Sequence, residues 1–215
     1  MDNAQNLLAM RIILLLLFMT PGLFLTGQHD DFQTHIEAHR DEYKAEFLKD
    51  PRSPIQSKKL LRKLRFFKPD GAYRVQALFS LKPDAQPFEI ATYSGITKPY
   101  IQFGWLDFEI ENVTLRLAVY KSIRLGSMPG FEDYLFLPFK DLTNGEQTYG
   151  GGRYIDLKAS EIDQSGLITL DFNKAYNPWC AYSEGYNCPV PPAVNHLEVA
   201  ITAGERSPGF EVLKD

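Results

Sequence analysis

The chain has 215 residues, of which 44% are hydrophobic, and 23 Lys and Arg against 27 Asp and Glu give a formal net charge of −4. The apolar fraction excludes global disorder, and the acidic balance argues against a nucleic-acid partner, which normally meets a basic surplus. Two cysteines are too few for a disulfide-dense scaffold or a four-cysteine zinc site, and the length suits one domain.

The first predicted element is an export signal. Arg11 precedes an apolar run from Ile12 to Leu25, which is shorter than the roughly 20 residues of a membrane-spanning helix. We therefore expect residues 1–27 to be a signal peptide, and the protein to be periplasmic or in the cell envelope, with no stable membrane span after cleavage. An uncleaved membrane tether is the alternative. Gln28 stands where a lipoprotein carries its lipidated cysteine, so no lipid anchor is expected there.

Residues 28–57 are predicted to form a helix and an extended linker. The apolar residues of the helix recur at spacings of 4, 7 and 4 and form one stripe, which places Arg40 on the opposite, exposed face. Pro51 ends the helix. The stripe consists of Phe32, Ile36, Tyr43 and Phe47. The basic stretch Lys58–Arg65 then predicts a short helix or turn that docks its leucines, with a membrane-surface role as the alternative.

Residues 58–215 are predicted to form a β-rich domain. Apolar and polar residues alternate over Tyr73–Ser80 and Val113–Tyr120, and Asn144-Gly145 and Gln164–Gly166 are typical of hairpin turns. Further strands are expected at Phe88–Thr92, Ile101–Glu109, Tyr134–Phe139, Arg153–Leu157, Leu167–Phe172 and His196–Thr202. Short strands without intervening helices predict an all-β fold, an antiparallel β-barrel or β-sandwich with an N-terminal α-helix.

Residues able to do chemistry are concentrated between Phe139 and Glu205. The motifs are TYGGGRY at 148–154, DFNKAYNPWCAY at 171–182, CPVPP at 188–192 and AGE at 203–205. At these motifs the chain resembles the bacterial family catalogued as domain of unknown function 1684. The resemblance extends back over Pro69–Gly71 and residues 40–55. It implies an exported or lipoprotein-like bacterial protein with no established activity.

Arg153 is the best candidate to anchor a small anionic or polar ligand. Gly150–Gly152 leave the neighbouring backbone bare, which could cradle an anion; alternatively, glycine is needed there because a strand presses against a neighbour. Arg153 could instead pair with a carboxylate and order the loops. The predicted ligand-binding residues are Asp141, Tyr149, Gly151, Arg153, Asp171, Asn173 and Tyr176. The region's aromatic residues either stack on a flat ligand or close the end of a barrel.

Cys180 and Cys188 are expected to form a disulfide, because the predicted compartment is oxidising. The rival hypothesis is a Cys180 nucleophile with His196 as its base and Asn195 or Asp171 orienting the imidazole.

Three carboxylates are candidate partners for Arg153: Asp141, Asp171 and Glu205.

An enzymatic alternative is a hydrolase in which Asp141 and Asp171 share acid–base work beside Arg153. His35 and His39, one helical turn apart, are interpreted as a solvated face, and we predict no metal site. The chain has no nucleophile elbow, dinucleotide fingerprint or zinc-protease motif, so the sequence names no catalytic residue and no cofactor. A structural role in the envelope is also consistent with it.

Overall fold

The computed structural model describes residues 24–214, with side chains from residue 31 onward. The predicted signal segment, residues 1–27, therefore lies almost wholly outside the described residues. The chain divides into one unit up to His35 and a second from Ile36 onward, and the features below belong to the second unit. In the described part of the chain, no helix combines the length and the apolar character that crossing a bilayer requires.

Helix α1 spans Phe24–Lys49 and ends just before Pro51, as predicted. Ile36 and Phe47 are buried. Arg40 was predicted to be exposed, and this is wrong: it is buried, and its guanidinium donates to the Phe67 carbonyl at 3.0 Å. The reason is the helical period, since Arg40 lies one turn after Ile36 and therefore on the same face.

The basic stretch after α1 contains the short helix α2, Lys58–Leu61. Leu61 and Leu64 are buried, whereas Lys58 and Lys59 remain in solvent. The prediction that this stretch docks its leucines is confirmed.

The body of the protein is an antiparallel sheet curled into a half-barrel, which confirms the all-β prediction with an N-terminal helix. The strand order is β6-β5-β4-β3-β1-β7, and β2 pairs with the N-terminal end of β3. A short helix, α3 (Ile123–Gly126), follows β4. The strands are β1 Arg74–Leu81, β2 Phe88–Ala91, β3 Thr97–Ile110, β4 Val113–Ser122, β5 Tyr134–Phe139, β6 Arg153–Lys158 and β7 Leu167–Asp171.

The prediction of a strand at His196–Thr202 is wrong. This segment makes a single β-bridge, from His196 to Lys140, and is otherwise irregular. Its first half makes backbone hydrogen bonds to the residues that follow β5: the Leu197 amide donates to the Lys140 carbonyl, and the Leu142 amide donates to the Val199 carbonyl. At Ile201 side chains take over, since its amide donates to Asp141 and its carbonyl accepts from Arg153.

The two predicted hairpin turns have different outcomes. Asn144-Gly145 lies in a turn within the long connection between β5 and β6, which do pair. Gln164–Gly166 also turns the chain, but it makes no hairpin, because β7 pairs with β1 and not with β6. Local turn residues fix the bend and leave the choice of partner strand to the tertiary packing.

The hairpin between β3 and β4 is regular except at one point. Glu111 and Asn112 both have positive φ (50° and 65°), as a two-residue type I′ turn requires. One extra residue, Phe103, shifts the register between Gln102 and Gly104. The resulting β-bulge lies about midway along β3.

The sheet is buried on both faces around β4. Leu117 and Val119 belong to the main core inside the half-barrel, whereas Ala118 and Tyr120 belong to a second cluster on the opposite face. Each fully buried large apolar side chain contributes about 1.5–3 kcal/mol. The second cluster consists of Ile90, Tyr100, Ala118, Tyr120, Phe136 and Tyr154.

Candidate ligand-binding cleft

A cleft of about 820 Å³ lies over the second cluster. Its floor is aromatic: Tyr100 stacks on Phe136 with ring centroids 5.6 Å apart, and Tyr154 meets Phe136 edge-on at 4.8 Å. Burial raises the pKa of Tyr100 to about 12, so its phenol stays neutral at physiological pH. The volume lies within the range of small-molecule sites, and flat aromatic surfaces are what such sites use to hold rings and apolar groups.

Two further tyrosines of the cleft are held by a single carboxylate. The hydroxyls of Tyr134 and Tyr176 each donate to Asp156 Oδ1 at 2.7 Å. Burial, together with the charge of Asp156, raises the pKa of both phenols well above the usual value. Both rings are thereby fixed in orientation, and both stay protonated.

The disulfide predicted between Cys180 and Cys188 is present and supports one wall of the cleft. The loop that it closes contributes Gly185, Tyr186 and Cys188 to the lining, and Trp179 lies just before it. Trp179 packs edge-on against Tyr186, with ring centroids 5.3 Å apart. The cross-link therefore holds an aromatic wall in place.

The mouth of the cleft carries two cations without partners. Lys98 and Arg124 both line it, and neither makes an ion pair with any described residue. Burial, and then the charge of Arg124, lower the pKa of Lys98. Arg52, also in the lining, is neutralised by Asp50 at 2.7 Å. The described lining contains no carboxylate, and the Asp156 carboxylate lies behind it, bonded to the hydroxyls of Tyr134 and Tyr176.

Arg153 lies elsewhere, wholly inside the protein. Its guanidinium pairs with Asp141 Oδ2 at 2.8 Å and donates to the carbonyls of Ile201 (2.9 Å), Ala203 and Glu205 (3.2 Å). Both side chains of the pair are fully buried. This geometry favours the interpretation that Arg153 orders the loops over the interpretation that it anchors a ligand.

Close approach explains two of the three glycines of the run. A Cβ on Gly151 would collide with the Tyr149 ring and lie 2.6 Å from the Tyr93 hydroxyl. Gly152 has a φ of +90°, and a Cβ there would lie 2.6 Å from the Phe139 carbonyl oxygen. The contacts thus support the steric interpretation at Gly151 and Gly152, whereas a Cβ on Gly150 would make only an ordinary contact, 3.6 Å from the Gly145 Cα.

The remaining predicted residues are divided between two places. Asn173 is buried, donates to Asp171 Oδ1 and binds both backbone groups of Asp70, so it fixes the entry to β1. Asp171 lines a second, smaller cavity of about 290 Å³ between β6 and β7. Among the predicted ligand-binding residues, only Tyr176 lines the large cleft.

The geometry does not assemble either enzymatic alternative. The Asp141 carboxylate pairs with Arg153 and accepts a hydrogen bond from the Thr143 hydroxyl at 2.6 Å. Asp171 lines the second cavity instead. Cys180 is bonded to Cys188 and offers no thiol. Asn195 instead bridges β4 and β5, donating to the carbonyls of Ala118 and Pro138.

Glu205 forms a separate buried cluster. Its carboxylate accepts hydrogen bonds from the hydroxyls of Tyr43 (3.1 Å) and Tyr182 (2.7 Å) and from the Asn177 amide (2.9 Å). Burial raises the pKa of Glu205 to about 7, although these bonds and the charge of Arg153 act in the opposite direction. Tyr43 belongs to α1, so the cluster ties that helix to the C-terminal segment.

Sequence reasoning missed the residues that give the cleft its charge. Lys98 follows the turn after β2, and Arg124 lies in α3, both outside the motif-rich segment. The β3–β4 hairpin contains a partial signal, because its ladder runs out to Tyr100 opposite Ser122, two residues from each of these positions. The aromatic residues were noticed, and Tyr154, Tyr176, Trp179 and Tyr186 do line the cleft.

Together, the fold and the cleft define a β half-barrel domain with a candidate site on the face opposite its main core. That site has an aromatic floor and two cations at its mouth. Residues 59–206 match the family described as "Protein of unknown function (DUF1684)", and the chain belongs to this family, as the sequence motifs predicted. The chain is similar, at 35% identity, to an uncharacterized protein of Haloarcula marismortui solved by solution NMR. That match covers 84% of this chain and 96% of the other, with a TM-score of 0.62. No curated protein matches the chain.

Proposed function

We propose that the protein binds a small organic anion that carries a flat or apolar group. The observation that carries this proposal is the pair of unpartnered cations, Lys98 and Arg124, at the mouth of a cleft whose floor is aromatic. A carboxylate, sulfonate or phosphate would gain charge-assisted hydrogen bonds from the two cations. Its apolar part would lie against the rings of Tyr100 and Phe136.

The proposal is for binding and not for hydrolysis. Within the described lining of the cleft there is no carboxylate and no free thiol that could act as a general base or a nucleophile. The cleft tyrosines hold their protons, because burial raises the pKa of Tyr154 and Tyr176. An exported location belongs to the same proposal, and the Cys180–Cys188 disulfide supports it, because such bonds persist in oxidising compartments.

A pair of fluorescent probes tests the proposal. The anion 8-anilinonaphthalene-1-sulfonate and the neutral N-phenyl-1-naphthylamine share their rings and differ in the sulfonate. We expect the double variant Lys98→Ala with Arg124→Ala to weaken binding of the anionic probe by about tenfold, because charge-assisted bonds are lost. Binding of the neutral probe should change little.

The matched control is Lys59→Ala with Arg62→Ala. This variant removes the same charge from two exposed residues that do not line the cleft. It should bind both probes as the wild type does. Equal weakening by the control, or equal loss of both probes in the cleft variant, would contradict an anion site at Lys98 and Arg124.

A further inference from the structure

Two short loops at the mouth of the cleft expose apolar side chains. Ile96, in the turn between β2 and β3, is 51% exposed, and Met128, after α3, is 49% exposed. Both line the same cleft mouth. Ile123, next to Arg124 in the chain, and Phe131, whose ring centroid is 6.1 Å from that of the lining residue Tyr134, are 39% and 40% exposed and do not line the cleft themselves. We call these four residues the rim.

The charges at the rim are suited to an anionic surface. Lys98, two residues after Ile96, and Arg124, next to Ile123, line the cleft and have no ion-pair partner among the described residues. Glu132, the acidic residue next to Phe131, directs its carboxylate to the Gly130 amide at 3.0 Å. Exposed apolar side chains with unpaired cations between them are typical of proteins that insert shallowly into an anionic membrane interface.

A protein partner fits this geometry less well. A stable protein interface buries about 800 Å² on each side and needs a continuous, closely packed centre. The rim instead consists of four side chains around the opening of a cleft of about 820 Å³. A bilayer deforms around separate side chains and needs no such continuity.

We propose that the rim of Ile96, Ile123, Met128 and Phe131 docks on an anionic lipid bilayer, with Lys98 and Arg124 at the level of the headgroup phosphates. In this orientation the opening of the cleft faces the lipid surface. It goes beyond the binding of a small anion, because Ile123 and Phe131 take part in docking only.

Vesicle sedimentation with the full chain tests the inference. One set of vesicles is an equal mixture of phosphatidylglycerol and phosphatidylcholine, and the other is phosphatidylcholine alone. We expect the wild type to bind the anionic vesicles and to be released by high salt. Ile123→Asp with Phe131→Asp should weaken this binding by about tenfold or more, since apolar insertion is lost and negative charge is added. Each cation removed should cost roughly fivefold.

The control is Leu81→Asp with Val194→Asp, at two apolar residues that are 57% and 56% exposed and do not line the cleft. It should retain vesicle binding. Every variant keeps residues 1–27, so any contribution of that apolar run is common to all. Equal loss in the control, no binding, or equal binding to uncharged vesicles would overturn the inference. So would a wild-type dimer that the rim variant dissociates, because the rim would then be an interface between copies.

A neutral form of the rim variant separates this inference from the proposed small-anion site. Ile123→Asn with Phe131→Asn should lose vesicle binding but bind the sulfonate probe like the wild type in the absence of lipid, because neither residue lines the cleft and no charge is added beside Arg124. Failure of docking with normal probe binding refutes the membrane contact alone. Failure of probe binding in the wild type refutes the small-anion site alone.

Discussion

Arg153 keeps a full positive charge inside the protein, with its side chain wholly out of solvent. Such a charge persists because one carboxylate and three backbone carbonyls receive its donors. A sequence shows that an arginine stands among glycines and tyrosines, and this pattern is common to ligand sites and to buried networks. Its role could not be predicted because it depends on residues 201–205, about fifty positions away in the chain.

Arg153→Met should lower the free energy of unfolding by about 3–5 kcal/mol, because it leaves the buried Asp141 carboxylate uncompensated. The double variant with Asp141→Leu should lose less than the sum of the two single variants. Urea denaturation measures all three. A stable Arg153→Met protein that no longer binds the sulfonate probe would instead make Arg153 a ligand anchor.

At the scale of elements, the sequence pattern predicted β1 to β7 with ends within two residues, except that β3 begins at Thr97 and not at Ile101. The strand predicted at His196–Thr202 failed because only its first residues bond to a neighbouring backbone, at Lys140 and Leu142, while Ile201 is held by Asp141 and Arg153. The wall of the cleft was partly predictable, since the predicted oxidising compartment indicated the Cys180–Cys188 disulfide. Which cavity that loop would face was not predictable from local pattern.

Replacing both cysteines by serine should lower the free energy of unfolding by roughly 2–3 kcal/mol, because the short loop regains entropy in the unfolded chain. It should also weaken binding of both naphthyl probes, since Trp179 and Tyr186 lose their fixed positions. Denaturation and probe titration of the double serine variant check the two effects. Unchanged probe affinity would mean that this wall does not contribute to the site.

At the scale of the whole molecule, the fold class followed from the sequence, whereas the order of strands and the position of the cleft did not. The cleft depends on β4 being buried on both faces, with Ala118 and Tyr120 covered on the side that alternation alone assigns to solvent. The cleft over this face is completed by loops distant in sequence, including residues 185–189. Long-range packing of this kind leaves no periodic signal.

The global stability should depend on pH through Glu205, which connects α1 with the C-terminal segment. Its pKa is raised from 4.5 to about 7 in the folded protein, so the folded state holds a proton that the unfolded chain releases. This carboxyl's contribution to stability is therefore full below about pH 4.5 and declines, by about 3 kcal/mol, as the pH rises through about 7.

Glu205→Gln should remove that decline, because a glutamine does not titrate. The measurement is the free energy of unfolding of wild type and variant across this pH range, with the difference between the two taken at each pH. Parallel curves for the two proteins would show that Glu205 is already ionised when folded.

The bulge at Phe103 shifts the pairing of β3 with β4 by one residue. Beyond it, the ladder ends with Tyr100 opposite Ser122, and Lys98 and Arg124 lie two residues past that last pair, Arg124 in the helix α3. Without the extra residue, Ser122 would be opposite Ile101 instead, and residues 98–102 would turn to the other face of the sheet. The position of Lys98 relative to Arg124 at the cleft mouth therefore depends on the length of β3 as much as on its residues. Relatives that differ by one residue there need not share a ligand.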